Sequence, residues 1–72
     1  MVFPMLNRSL RNDDHTRRYT IAETPAGWVV RQEQDSKVVR LVEYHDWHRV
    51  ERARRSITIE MNELEAAGWR PE

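Results

Sequence analysis

Hydrophobic and polar positions change their period along the chain, and the changes mark the elements. Residues 7–18 (Asn-Arg-Ser-Leu-Arg-Asn-Asp-Asp-His-Thr-Arg-Arg) carry a single large apolar side chain, Leu10. A stretch this polar reads as a mobile arm, so residues 1–18 are assigned to one. From Tyr19 to Thr24 β-branched and aromatic residues alternate loosely with polar ones, which predicts a first strand. Pro25-Ala26-Gly27 is turn chemistry, because proline pre-sets φ and glycine accepts a positive φ. A second strand follows from about Trp28 to Gln34, then a two-residue turn at Asp35-Ser36 and a third strand from about Lys37 to Tyr44.

With Gln34 facing Lys37 across that turn, regular pairing sets Val30 opposite Leu41 and Gln32 opposite Val39. The period of two then gathers Trp28, Val30, Val39 and Leu41 on a core face. Arg31, Glu33, Val38 and Arg40 fall on the other, wetter face.

Past Asp46 the period becomes helical, with an apolar stripe through Trp47, Val50, Ile57, Met61 and Leu64. Asp46 is a suitable N-cap for the backbone N–H of His48 or Arg49. Gly68 and Pro71 supply the stop. The β-prone run Ser56-Ile57-Thr58-Ile59 interrupts the composition but not the phase, so one helix is expected. At about 21 residues it is about 31 Å long, against about 23 Å for a seven-residue strand, and should overhang its sheet. The predicted fold is α+β: over residues 19–72, a three-stranded antiparallel meander packed on one long C-terminal helix.

Composition limits the stability such a domain can reach. The chain has 72 residues, 39% hydrophobic and 33% charged, with no cysteine to form a disulfide or a thiolate metal site. A core this small favours borrowing apolar surface from a second copy. Twelve basic and twelve acidic residues cancel, which argues against non-specific nucleic-acid binding as the main role. The apolar start, Met1 to Leu6, is too short for a signal-peptide core, and no run is long enough to span a bilayer. A cytoplasmic protein without a membrane partner is expected.

Candidate chemistry is sparse. His45 and His48 flank Asp46, yet a zinc site needs three or four convergent ligands, and His15 lies in the presumed arm. Ser9, Ser36 and Ser56 lack a glycine-framed nucleophile turn, and two glycines cannot form a phosphate-cradling loop. No enzyme, metal or cofactor is expected. The three tryptophans, Trp28, Trp47 and Trp69, read as core, with Trp69 the candidate interface anchor.

Arg49, Arg52, Arg54 and Arg55 form the one basic cluster, with Glu51 placed to pair forward with Arg55. Three strands followed by a helix, over about residues 19–64, resemble the plant AP2-type and phage-integrase arm DNA-binding domains. The resemblance lies in the order of elements alone and implies a sheet that enters the major groove. Arg31, Lys37, Arg40, Arg49, Arg52 and Arg55 are the candidate nucleic-acid contacts of the chain itself.

The helix charges oppose their own macrodipole: net positive from Trp47 to Thr58, net negative from Ile59 onward. An antiparallel partner helix would complement them. Centred on Ile57, such a homodimer sets Val50 against Leu64, Ala53 against Met61 and Arg54 against Glu60, with Trp69 at the margin. The leading expectation is therefore a non-catalytic interaction or regulatory module, homodimeric through its helix and open to a protein partner. A nucleic-acid-binding accessory protein is the alternative.

Overall fold

The computed structural model describes residues 3–72, with side chains from residue 5 onward. Four long strands, β1 (Phe3–Asn12), β2 (His15–Thr24), β3 (Gly27–Gln34) and β4 (Lys37–Tyr44), precede helix α1 (Trp47–Ala66) and a two-residue strand, β5 (Arg70–Pro71). All pair antiparallel in one sheet of order β4-β3-β2-β1-β5. The architecture is α+β as expected, with four main strands in place of three.

The added strand corrects the assignment of an N-terminal arm. Residues 3–12 and 15–18 belong to a long hairpin closed by Asp13-Asp14, in which Asn12 faces His15 and Leu10 faces Arg17. Asp13 adopts the positive φ of 53° that such a turn requires. Met1 and Val2, the rest of that assignment, lie outside the described residues. Leu10, the only large apolar residue of the polar stretch, is buried in the core. With a fourth and a fifth strand in the sheet, the likeness to the three-stranded DNA-binding domains does not extend beyond sequence order.

The Asp35-Ser36 turn forms where expected, with φ of 52° and 68°. Beyond it the pairing departs from regular register. Gln34 faces Lys37 and Glu33 faces Val38, but Gln32 faces Arg40, so Val39 is an extra residue on β4. This β-bulge exchanges the faces of the rest of the strand. Val30 now faces Val42 rather than Leu41, and Val38, Val39 and Leu41 are 51%, 53% and 59% exposed. The predicted placing of Val39 and Leu41 in the core is thus overturned.

Helix α1 runs unbroken through Ser56–Ile59, and Thr58 returns its hydroxyl to the Arg54 carbonyl at 2.9 Å. Tertiary burial of one stripe outweighs local β-propensity there. Asp46 caps the start, accepting from the His48 N–H at 3.0 Å. At the other end Trp69 N–H donates to the Leu64 carbonyl and Gly68 N–H to that of Glu65, a Schellman stop with Gly68 at φ 108°.

Val50, Ile57 and Met61 are buried against Leu10, Tyr19, Ile21 and Val30, with Ala53 and Leu64 packed beside them. The helix starts from the β4 edge and delivers the chain to the β1 edge, where β5 pairs with Leu10 and Arg11. It therefore crosses the sheet obliquely. The sheet it crosses is wider, and its first hairpin longer, than the sequence pattern indicated. The opposite face of the sheet has no covering layer among the described residues.

Two substitutions test this packing. Leu10→Ala should cost about 2 kcal/mol or more in urea denaturation, as a core truncation does, whereas a mobile arm would make it neutral. A Cβ at Gly27 (φ 143°) would stand 2.4 Å from the Tyr44 carbonyl oxygen, while one at Gly68 meets nothing within 4 Å. Gly27→Ala should therefore destabilise clearly more than Gly68→Ala, which carries only the backbone strain of about 1 kcal/mol or more.

Candidate functional site

Because α1 crosses obliquely, it leaves the upper part of β3 and β4 uncovered on the helix side. The result is an open wedge of about 430 Å³ between helix and sheet edge. Its floor is Val30, Gln32, Arg40 and Tyr44; its wall is Arg49, Arg52, Ala53, Ser56, Ile57 and Glu60. The wall follows from helical spacing, since positions 49, 52 and 56 fall on one side of the buried stripe. The floor follows from the bulge. Regular pairing would turn Arg40 to the far face beside Arg31; the extra Val39 turns it toward Arg49 and Arg52.

Ion pairing leaves these three arginines out. The pairs among the described residues are Arg11–Glu72, His15–Asp35, Arg17–Glu60 and Arg54–Glu51, and none engages Arg40, Arg49 or Arg52. Glu60, the one carboxylate of the wedge, sits 3.6 Å from Arg17, whose guanidinium also stacks over Trp69 at 5.1 Å. Below this group burial pushes the Tyr19 phenol above its ordinary pKa; Arg17 opposes the shift and the Glu60 charge adds to it.

The other sequence candidates are dispersed. Arg31 lies on the uncovered face opposite Leu41, Lys37 beside the β3–β4 turn, and Arg55 on the exposed side of the helix. Of the proposed nucleic-acid contacts, only Arg40, Arg49 and Arg52 converge. Gln32 and Tyr44 join them without having been candidates, and Ser56, weighed only as a nucleophile, joins through the 49-52-56 spacing.

The helix-dimer candidates are largely spent within the chain. Val50, Ile57 and Met61 are core residues, and Ala53, Leu64 and Trp69 pack against that core. Arg54 donates twice to Glu51, at 3.1 Å each, and pulls its carboxyl below the ordinary range. Glu51 thus pairs with Arg54 rather than Arg55, and Glu60 with Arg17 rather than Arg54. The antiparallel register about Ile57 would need these apolar side chains twice. Ile59, 59% exposed, is what the helix still offers to a partner among its large aliphatic residues.

His45 bonds through Nδ1 to the Ala26 carbonyl at 2.7 Å, tying the β2–β3 turn to the start of the helix, and no cluster of three metal-ligating side chains occurs among the described residues. Trp28 and Trp47 pack on each other with centroids 5.6 Å apart. No helix among the described residues is long and apolar enough to cross a membrane. No family model matches the chain, and no curated protein or solved structure is significantly similar to it.

One charge outside the wedge ties the β3–β4 turn to the start of β2. Asp35 in the β3–β4 turn accepts from Thr16 N–H at 3.0 Å and faces His15 Nδ1 at 3.3 Å, while its own N–H donates to the Thr16 carbonyl. The Thr16 bond, then His15, holds its carboxyl below the ordinary value of 3.8. A lowered native pKa contributes stability above the unfolded value that is lost as pH falls through the native one. Asp35→Asn, which still tolerates positive φ, should lower Tm slightly at neutral pH. In thermal scans the difference from wild type should shrink below about pH 4 and vanish in stronger acid.

Proposed function

We propose that this protein is a non-catalytic binding module that holds an anionic protein segment in the wedge between α1 and β4. The observation that carries this reading is the convergence of Arg40, Arg49 and Arg52 on one open groove with no carboxylate paired to them. Stability does not call for that arrangement. No acidic residue lies in the first turn of α1, where an acid would be favoured, and Arg49 stands there against the dipole. Each such misplacement costs about 0.3–1 kcal/mol. Guanidinium groups match carboxylates in paired hydrogen bonds, which suits acidic side chains as ligands.

Two features favour a protein partner over nucleic acid. The wedge opens beside exposed apolar residues of β4, which phosphates do not need. The uncovered sheet face mixes Arg31 with Glu33 and Glu43, which would repel a phosphate backbone.

Fluorescence anisotropy with a labelled oligoglutamate peptide at low salt tests the reading. Wild type should bind, the affinity should fall as salt rises, and Arg49→Gln/Arg52→Gln should weaken binding at least about tenfold. The same double variant should keep or slightly gain thermal stability, because it relieves the dipole. Unchanged affinity in the variant, or tighter binding to duplex DNA than to oligoglutamate, would overturn the proposal.

A further inference from the structure

The two edges of the sheet are treated differently. At the β1 edge, proline interrupts the donors at Pro4, a register shift falls between Pro4 and Leu6, and β5 with the Glu72 N–H covers Ser9 to Arg11. These are ordinary ways of closing an edge. The β4 edge has a bulge at Val39 and the charges of Lys37 and Arg40, but over its eight residues it carries no proline and pairs with nothing beyond β3. It also displays Val38, Val39 and Leu41, more than half exposed, although burying apolar side chains is what this small domain most needs.

The bulge sorts that edge into two chemistries. On the helix side it presents Arg40, with Arg49 and Arg52 above it; on the uncovered side it presents Leu41 and Val38, with the unpaired Val39 exposed between them. A strand added about 4.8 Å beyond β4 would send alternate side chains to these two sides. We infer that the partner is an extended polypeptide segment that adds to β4 as a further strand. Its acidic side chains point toward the arginines, and its apolar ones lie against Leu41, Val38 and Val39. This rests on the anionic-partner reading above and specifies the partner's conformation and sequence pattern. Main-chain bonds would supply affinity and the alternation would supply specificity.

A second copy of the chain suits the edge poorly. Two-fold antiparallel pairing of β4 with β4 keeps both helices on one side of the joined sheet, and so brings two sets of Arg40, Arg49 and Arg52 together. Like charges meeting across an interface disfavour it. Charge complementarity thus selects an acidic segment over self-pairing.

The full 72-residue chain, labelled with nitrogen-15, can be titrated with three eight-residue peptides. One alternates glutamate and valine, one has the same composition in two blocks, and one alternates but carries a central proline. The alternating peptide should bind at least about tenfold more tightly than the other two. It should also shift the β4 amides and slow their hydrogen exchange. Leu41→Ser should weaken the alternating peptide several-fold while leaving oligoglutamate binding unchanged. Equal affinity for all three peptides, still abolished by Arg49→Gln/Arg52→Gln, would overturn strand addition and leave the anionic wedge standing. Loss of oligoglutamate and peptide binding alike would overturn both. Concentration-dependent dimerisation with protection of β4 in the absence of peptide would overturn the inference in favour of self-pairing.

Discussion

Everything in this molecule depends on one seal, the contact of the Val50–Ile57–Met61 stripe with Leu10, Tyr19, Ile21 and Val30. A chain with so few large apolar residues can build one core layer, and that layer must lie between a single helix and one side of a sheet. The sheet therefore has a dry side and a wet side, and every strand is half polar. The helix must cross obliquely, because it starts at one edge and has to close the other with β5. The wedge above β3 and β4 is the area that an oblique helix cannot cover. The candidate site is in this sense a by-product of the seal, lined with arginines where aliphatic residues would have extended the core.

The bulge at Val39 links fold and site. It is a one-residue event, yet it decides which of Arg40 and Leu41 faces the helix. Its effect runs against simple stability: an arginine enters the covered side and a leucine leaves it. Bulges commonly re-aim side chains at functional edges, and here the re-aimed residue completes the basic cluster. The same event exposes the apolar row outside the wedge, so one irregularity sets both the arginine cluster and the exposed aliphatic edge.

Elements held by local chemistry were legible in the sequence. Asp46 and Gly68 bound the helix because capping and positive φ are satisfied within a few residues. Asp35-Ser36 turns where the alternation breaks, and Gly27 sits where the chain needs φ of 143°. β1 was not legible. On an edge strand whose wet side is uncovered, polar residues belong on one face and are tolerated on both, so it carries the composition of a disordered arm. Leu6 and Leu10 share its core face, but with Arg8 at the position between them two apolar residues four apart do not establish a period. In the site, the spacing of Arg49, Arg52 and Ser56 could be read from the helix alone. The arrival of Arg40 could not, because nothing in Lys-Val-Val-Arg-Leu announces an extra residue.

The order of elements also bears on how the chain assembles as it is made. The four-stranded meander is complete in sequence by Tyr44, before any of the helix that dries its inner side has been synthesised. Each hairpin turn is local, so strands can pair early, but a bare sheet with Val38, Val39 and Leu41 along its edge is a sticky intermediate. Lys37, Arg40 and the twist of the bulge then act as guards against pairing with another nascent copy. The residues that shape the mature edge would thus also protect it during the interval before the helix arrives.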